Sequence, residues 1–309
     1  MKNKQSADNF ERFGAKEFNT PANLYRIIQN YGNNGSELEE FVSFCVNGDP
    51  FLASEWQGLT NGAEETISGF IINALVALKI FSMPHICALT SSSDIDFSTI
   101  RKEKTIIYLI TPPEDQDVYR PLTSMYFLSF IHICMRELPS DNSNLLPVTF
   151  VYDEFGNSFL PSFDTIITTT RKYKISFLLM MQGINQLITR YGQNEMGNIM
   201  SGITTHVSFG GAEPQTANYF SSKIGKKRKF YYLENKDTHV EHHSEHDLIS
   251  SGEIRELPDN QVLVLCDNNK AAIIDVFPSY ENSQYKRLMR YEPARIHSES
   301  QDTIHFIPL

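Results

Sequence analysis

The residues best suited to take part in a chemical reaction are two adjacent carboxylates, Asp153 and Glu154, which follow the apolar run VTFVY at 148–152. Such a run predicts a buried strand, and ligands of parallel α/β sheets bind at the carboxyl ends of the strands. There an aspartate can hold the water shell of a phosphate-bound Mg²⁺, and a glutamate one residue on can orient or activate the attacking water. The simpler alternative is that the pair caps the next element.

Two further polar residues fit the same hypothesis. The apolar run at 174–182 predicts the next strand and ends in Gln182, whose amide can donate to a phosphate oxygen and accept from a water. Arg171 lies between the two strands, and its guanidinium could reach a neighbouring subunit's nucleotide as an arginine finger. The alternatives are a glutamine in loop hydrogen bonds and a surface cation.

The residues that should hold the phosphates are missing from these 309 residues. A P-loop, G-x-x-x-x-G-K-[ST], neutralises phosphates with backbone N–H groups and a lysine. The nearest segment, GAEET at 62–66, has acidic Glu65 where the lysine would stand. The other candidate, GKKRK at 225–229, follows a predicted helix rather than a strand.

Two other clusters lie between residues 223 and 247. The histidines of HVEHHSEH have metal-ligand spacing, but their polar surroundings favour a solvated loop; they are His239, His242, His243 and His246. The basic run formed by Lys223 and residues 226–229 could face a nucleic acid or a pore. Its plainer interpretation is a helix C-terminus whose cations complement the helix dipole.

Hydrophobic patterning predicts the elements that must position these side chains. Residues 9–85 have helical periodicity without a strand pattern. From about residue 95, apolar strands alternate with helices, which predicts a parallel sheet covered on both faces. The predicted strands are 104–111, 148–155, 174–182 and 205–211, the helices are 121–138, 161–173, 185–192 and 213–225, and a hairpin follows at 261–277. Residues 229–247 are polar, and 280–309 resemble a tail.

Composition limits the class of protein. The sequence is 41% hydrophobic and 12% aromatic, which supports a folded core and argues against disorder. With 27 basic and 37 acidic residues the formal charge is −10, so any DNA contact must be local. Four distant cysteines without a CxxC predict reduced, buried thiols rather than disulfides; they are Cys45, Cys87, Cys134 and Cys266.

The sequence does not predict a membrane span. No apolar signal peptide opens the chain. The apolar helix at 121–138 contains His132, Arg136 and Glu137, and these residues favour a buried helix of a soluble core.

The ordered motifs at 148–192, VTFVYDEFGNSFLPSFDTIITTTRKYKISFLLMMQGINQLITRYG, resemble the core of the TraG-like coupling ATPases of type IV secretion. The shared features are a strand ending in Asp-Glu-Phe before a small residue and Asn, a Pro-x-Phe, an arginine before a basic turn, a strand ending in Gln, and QL…YG. The loop NSFLPSF is one residue shorter than usual. Similarity extends over roughly residues 50–280.

This resemblance implies an α/β fold, with a RecA-like, mostly parallel sheet flanked by helices and an N-terminal all-α portion. The implied domains are part of an all-α insert with a connecting helix at 1–85, the nucleotide-binding domain at 86–280 and a C-terminal tail at 281–309. Because the P-loop strand is absent, we expect the sheet to lack a strand near its centre, leaving its neighbours with unpaired backbone groups.

The resemblance also implies a function. Family members are hexameric motors at the cytoplasmic face of the bacterial inner membrane, which use ATP and Mg²⁺. They recruit a relaxase–DNA complex (relaxosome) or effector proteins to secretion-channel components, with DNA in the pore of a homohexamer. The implied site has Asp153 as the Walker B aspartate that holds Mg²⁺ through water, and Glu154, Gln182 and Arg171 as catalytic residues.

In this family the membrane helices and the P-loop lie N-terminal to the segments present here. We therefore expect this segment to be cytosolic, to reach the membrane only through other segments, and to hydrolyse ATP poorly or not at all by itself. The alternative function is a non-catalytic substrate-reception module, or a truncated remnant without ATPase activity.

Overall fold

The computed structural model divides into two compact units, one formed by Met1–Asp96 with Arg295–Leu309 and the other by Phe97–Ala294. Within them it describes residues 18–31, 42–43, 49–92, 95, 97, 99–140, 143–235, 238–291 and 304–306. The domain boundaries expected from the sequence, after residues 85 and 280, remain predictions.

The first unit is helical over its described residues. Its helices are α1 (Pro21–Tyr31), α2 (Pro50–Thr60), α3 (Glu64–Leu78) and α4 (Pro84–Leu89). The buried Asn23 of α1 donates from Nδ2 to the carbonyls of Phe18 at 3.0 Å and His305 at 2.9 Å. The guanidinium of Arg26 lies 4.5 Å from the ring centroid of Phe306. Described residues of the predicted tail therefore pack on α1.

Helix α3 exposes much of its apolar surface. Phe70, Ile72 and Val76 are 55%, 60% and 68% exposed. Among the described residues, Glu65–Ser82 forms one segment long and apolar enough to cross a membrane. Length and composition are weak evidence when a single helix meets them, because core helices of soluble proteins do so too. This segment is distinct from the apolar helix at 121–138, which the sequence analysis considered as a membrane span and rejected.

The second unit mixes helices and strands. Its helices are α5 (Gln116–Cys134), α6 (Phe163–Thr169), α7 (Ile184–Gly202), α8 (Pro214–Ile224), α9 (Ser251–Arg255) and α10 (Ser283–Leu288). Its strands are β1 (Val148–Tyr152), β2 (Ile175–Leu179), β3 (Thr205–Phe209), β4 (Lys226–Asn235), β5 (Thr238–Asp247), β6 (Gln261–Cys266) and β7 (Ala272–Asp275).

Parallel pairing in the described structure is confined to β1 and β2, whose register runs from Val148↔Ile175 to Tyr152↔Leu179. The inward face of this pair packs on α5, α6 and α7 through a cluster that includes the fully buried Phe155. The other strands pair antiparallel, in the order β3-β6-β7 and as a separate β4–β5 ribbon. The sheet is thus less parallel than predicted, because the expected strand 205–211 pairs with β6.

The predicted strand at 104–111 is wrong for this structure, since these residues join no ladder. Ile106, Tyr108 and Ile110 are 77–79% exposed, whereas Ile107 and Leu109 are 41% and 43% exposed. The segment therefore keeps the two-residue alternation of a strand without a hydrogen-bonded neighbour. A strand requires a partner as well as a suitable sequence.

Three other predictions need correction. In the segment 229–247, expected to form a polar loop, residues 229–235 and 238–247 belong to the paired strands β4 and β5. The predicted helix 185–192 does end at Gly192, where φ is +80°, but a second helical segment that was not predicted follows it to Gly202 within α7. Among the cysteines, Cys87 and Cys134 are buried as predicted, but Cys266 is exposed, and Cys45 lies outside the described residues.

A buried arginine ties together the ends of three elements of the second unit. Arg101 is 5% exposed. Its Nη1 donates to the carbonyl of Cys134 at 2.8 Å, and Nη2 donates to that of Tyr173 at 2.8 Å. Both Nε and Nη2 donate to the carbonyl of Leu146 at 3.1 Å. These carbonyls belong to the end of α5 and to the segments that lead into β1 and β2.

We expect Arg101→Met to lower the free energy of unfolding by about 3 kcal/mol or more, because each buried polar group left without a partner costs about 1–3 kcal/mol. Arg101→Lys should fall in between, since an ammonium cannot reproduce the guanidinium fork. Urea unfolding measures both changes. Lys102→Met, at the exposed neighbouring position, is the control, and an equal loss there would contradict the assignment.

Candidate functional site

The predicted acid pair lies at the carboxyl end of β1, beside the carboxyl end of β2. Past the last strand residues, the N–H of Met180 donates to the carbonyl of Tyr152 at 3.0 Å, and the N–H of Phe155 donates to that of Met180 at 2.8 Å. These bonds continue the pairing of the strands on both sides of Asp153 and Glu154. The two carboxylates are consequently held in a fixed turn at the edge of the parallel pair.

The backbone at Glu154 is left-handed, with φ +55° and ψ +37°. This conformation is uncommon for a residue with a side chain and is often found at functional sites. The Glu154 N–H donates to Asp153 Oδ1 at 3.0 Å, and the next residue, Phe155, is fully buried. The turn thus directs the phenyl ring into the core while both carboxylates stay exposed.

Side-chain hydrogen bonds connect the ends of β1 and β2. Glu154 Oε2 accepts from Gln116 Nε2 and from Asn157 Nδ2, each at 3.4 Å. Asn157 Oδ1 accepts from Gln186 Nε2 at 3.3 Å, and Gln186 Oε1 accepts from the Gln182 N–H at 3.1 Å. The structure therefore brings Asp153, Glu154 and Gln182 to one edge of the pair.

Arg171 lies at the other end of the strands. It belongs to the 3₁₀ turn Thr170–Tyr173 that precedes β2, on the side where the Val148 N–H donates to the Lys174 carbonyl at 3.0 Å. At ~3.3 Å per residue, the five residues of β2 separate the two edges by about 16 Å. The structure does not bring Arg171 to the acid pair of its own chain.

A cleft of about 390 Å³ opens beside the acid pair, between the end of β1, residues 109–111 and α5. Its lining residues are Leu109, Ile110, Thr111, Gln116, Arg120, Thr123, Phe127, Val151, Tyr152, Asp153, Glu154, Asn157 and Ser158. Arg120 is paired with Asp117 within α5. The cleft thus combines exposed carboxylates with a cation that is already partly neutralised.

Two buried tyrosines, Tyr152 and Tyr191, belong to the core cluster that contains Phe155, the residue after the acid pair. Burial raises the pKa of Tyr152, although its hydroxyl donates to Ser158 Oγ at 2.6 Å. Burial raises the pKa of Tyr191 to about 12, and its hydroxyl accepts the Leu160 N–H at 2.9 Å. Both phenols are therefore neutral hydrogen-bonding groups at physiological pH, with no charge to offer a ligand.

A second carboxylate, Glu213, connects the start of α7 to the start of α8, the helices that follow β2 and β3. Glu213 Oε1 accepts from the Asn185 N–H and from Thr216 Oγ1, both at 3.0 Å, and Oε2 accepts from Asn185 Nδ2 at 3.0 Å. Thr216 Oγ1 in turn accepts the Ile184 N–H at 2.9 Å. The hydrogen bond from the Asn185 backbone is the main cause that lowers the pKa of Glu213.

Sequence reasoning missed the residues that support the acid pair. Asn157 follows Glu154 by three positions and Gln186 follows Gln182 by four, which are the spacings at which a side chain can reach back across one helical turn. The two contacts could therefore have been predicted from the spacing. The contribution of Gln116, from a distant helix, had no signal in a single sequence.

No metal centre is evident in the described part of the chain, where no three His, Cys, Asp or Glu side chains converge on one point. Of the histidine cluster, His243 and His246 are exposed in β5. The side chains of His239 and His242 lie outside the described residues.

Comparison with known proteins identifies a matching family and related proteins. The family model for type IV secretory system conjugative DNA transfer matches residues 22–302. Protein VirD4 of Rhizobium radiobacter is 33% identical over 150 residues, which cover 48% of this chain and 22% of that protein. Protein VirD4 of Agrobacterium fabrum is 29% identical over 208 residues, or 65% of this chain and 30% of that protein. The chain thus spans less than a third of either relative.

Solved structures of the plasmid coupling protein TrwB have the same fold. TrwB in complex with the GTP analogue GDPNP matches 88% of this chain and 68% of its own, with a TM-score of 0.58 and 16% identity. TrwB in complex with ADP and Mg²⁺ matches 81% of this chain and 60% of its own, with a TM-score of 0.54 and 18% identity. At this identity the likeness concerns the fold, which is RecA-like.

We expect Gly156→Ala to disconnect the two strand ends. A Cβ at position 156 would lie 2.2 Å from Gln186 Oε1 and 2.8 Å from Gln186 Cβ, so the helix carrying Gln186 must shift. The free energy of unfolding should fall by about 1–3 kcal/mol, and the Gln182 N–H should exchange faster with deuterium. Gly197→Ala is the control, because nothing lies within 4 Å of a Cβ there; unchanged exchange at Gln182 in Gly156→Ala would contradict the link.

The lowered pKa of Glu213 predicts a pH dependence of stability. Its native carboxyl binds a proton less readily than in the unfolded chain, where its pKa is near 4.5. Its contribution should therefore be complete above pH 4.5 and should disappear as the pH falls through the lower native pKa. The difference in unfolding free energy between the natural chain and Glu213→Gln should shrink over that range; a difference that is constant with pH would refute it.

Proposed function

This chain belongs to the type IV secretory system conjugative DNA transfer family, and we propose that it supplies the acidic half of an ATP-hydrolysing site to a coupling protein of that family. The observation that carries the proposal is the meeting of Asp153, Glu154 and Gln182 at the carboxyl ends of the parallel strands β1 and β2, linked through Asn157 and Gln186.

Each residue has a role suited to its position. Asp153 holds water molecules of a hydrated cation, because its carboxylate is exposed at the strand end. Glu154 orients the attacking water and accepts its proton, since Gln116 and Asn157 fix one carboxylate oxygen and leave the other available. Gln182, whose backbone is held by Gln186, presents its exposed amide to a phosphate oxygen or to the same water.

The donor set at this edge fits Mg²⁺, which prefers oxygen ligands and keeps several of its waters. When bound, the ion would neutralise charge on the transferring phosphoryl group. The phosphates of ATP need additional donors that the described residues of the cleft do not supply, because Arg120 is paired with Asp117. TrwB holds ADP and Mg²⁺ in its solved complex, which supports the choice of nucleotide and metal.

The arrangement of strands supports a missing central strand. Among the described strands, β2 pairs with β1 alone and β3 pairs with β6 alone, so each has one edge without a ladder. Glu213 nevertheless connects the start of α7, which follows β2, to the start of α8, which follows β3. We infer that a P-loop strand from another segment pairs with these two edges and brings the phosphate-binding backbone to the acid pair.

Arg171 acts on a different copy of the site under this proposal. Its position at the opposite edge of β1 and β2 excludes contact with its own acid pair, but leaves it exposed for a neighbouring subunit. A homohexameric ring with DNA in its pore provides such a neighbour. The ring would work at the cytoplasmic face of the inner membrane, passing relaxase-bound DNA or effector proteins to secretion-channel components.

The alternative proposal is a non-catalytic reception module. It is favoured by the absence of a G-x-x-x-x-G-K-[ST] sequence and by the open apolar side chains of α2 and α3, such as Phe51 at 71% and Phe70 at 55% exposed. Under this proposal the helical unit would bind the substrate protein, and the acid pair would be a relic. The two proposals differ in whether the acid pair contributes to hydrolysis.

We expect the isolated chain to hydrolyse ATP no faster than the background, because it lacks the phosphate cradle. A chimera that joins the P-loop segment of Agrobacterium VirD4 to this chain should show Mg²⁺-dependent hydrolysis. In the chimera, Glu154→Gln and Asp153→Asn should each reduce turnover by a hundredfold or more, comparable with the loss of a positioned acid–base group. Phosphate release assays measure these rates.

Asp259→Asn, an exposed site outside the cleft, is the matched control and should leave turnover unchanged. Turnover by the isolated chain that Glu154→Gln abolishes would overturn the expectation of an incomplete site. A folded, active chimera that is indifferent to Glu154→Gln would refute the proposed role of the pair.

A further inference from the structure

The β4–β5 hairpin pairs only with itself among the described strands, and its residues 226–229 are exposed. Its two strands pair from Lys226↔Asp247 to Asn235↔Thr238 and join no other described strand. At the base, the Leu248 N–H donates to the carbonyl of Gly225 at 3.0 Å. A two-stranded ribbon has little stability by itself, so its charged side chains are the feature to consider for a binding role.

Charges at the base of the hairpin are divided between its two faces. Side chains alternate along a strand, so Lys226 and Arg228 share one face with their cross-strand partners Asp247 and Glu245. On this face Arg228 Nε lies 3.5 Å from Glu245 Oε1. Each of the two cations therefore stands opposite a carboxylate, and the face is close to neutral.

The other face carries cations opposite residues without negative charge. Lys227 pairs across the ribbon with His246, and Lys229 pairs with Ser244. Both lysines are exposed, and Ser244 Oγ lies 2.8 Å from His246 Nε2. We define this cationic face by Lys227, Lys229, Ser244 and His246.

One carboxylate of a neighbouring element approaches the cationic face. Glu253, in α9, has a lowered pKa whose main cause is the hydrogen bond from the Ser250 backbone, and Lys227 makes a smaller contribution. Glu253 Oε2 already accepts the Ser250 N–H at 2.7 Å and the Ser250 hydroxyl at 2.8 Å. Glu253 therefore stays ionised and offsets part of the charge of Lys227, whereas Lys229 stands opposite the uncharged Ser244.

We propose that the cationic face of the β4–β5 hairpin binds the phosphate backbone of single-stranded DNA. The partner is inferred from charge complementarity, since two lysines on the same face of one strand can contact successive phosphates. The choice of DNA rests on the proposed function in conjugative transfer.

The test is fluorescence anisotropy of the full chain with a labelled 20-nucleotide oligonucleotide, at several salt concentrations. Lys227→Gln with Lys229→Gln should weaken binding roughly tenfold near 0.15 M salt and reduce the slope of log affinity against log salt by about 1.4, because each phosphate contact on a single strand contributes about 0.7. Lys227→Arg with Lys229→Arg should retain affinity.

The matched control is Lys226→Gln with Arg228→Gln, which removes the same charge from the opposite face of the same strand. Its affinity should fall less than threefold. Equal losses in the two double variants would overturn the proposal, as would the absence of binding at 0.05 M salt. Poly-glutamate that binds as tightly as the oligonucleotide would also overturn it, in favour of an acidic protein partner.

This result is independent of the hydrolysis assays. The chimera can lose its dependence on Glu154 while the hairpin still discriminates between the two double variants, which would refute the nucleotide site alone. The reverse outcome, with an active acid pair and no DNA binding by the hairpin, would refute the present inference alone. Circular dichroism establishes that the compared variants are folded.

Discussion

The architecture of the second unit depends on one buried cation without a carboxylate partner. The guanidinium of Arg101 is surrounded by the carbonyls of Cys134, Leu146 and Tyr173, and the Leu146 N–H returns a bond to the Arg101 carbonyl at 2.7 Å. A buried charge is costly unless it is fully hydrogen-bonded. Here the hydrogen bonds that satisfy the charge also fix the starts of β1 and β2 and the end of α5. Loss of the arginine would therefore remove the links between these three elements.

Fixing the strands at their amino ends determines what happens at their carboxyl ends. The register of β1 and β2 delivers Asp153 and Gln182 to the same edge, and the burial of Phe155 forces the left-handed turn at Glu154. The candidate site is therefore built by core packing, and its polar groups need few contacts of their own. Because the backbone positions these side chains, long hydrogen bonds of 3.3–3.4 Å are enough to connect Gln116, Glu154, Asn157 and Gln186.

Sequence patterning predicted the parallel pair and its acidic edge because both depend on short-range signals, namely apolar runs and the polar residues that end them. It failed where an element depends on its neighbour. Residues 104–111 have the composition of a strand but no ladder, and the polar residues of 229–235 and 238–247 form a ladder because they pair with each other. The same limit applies to the site, where Gln116 reaches Glu154 from 38 positions away.

The pleated run from Ile106 to Ile110 has a practical consequence. An apolar extended segment with free backbone groups is a template for pairing with other chains, and Ile106, Tyr108 and Ile110 present their side chains almost fully to water. At high concentration the purified polypeptide is therefore expected to aggregate edge to edge through this segment. A lysine or proline introduced at Tyr108 would act as a gatekeeper that improves solubility while leaving β1, β2 and their acidic turn in place.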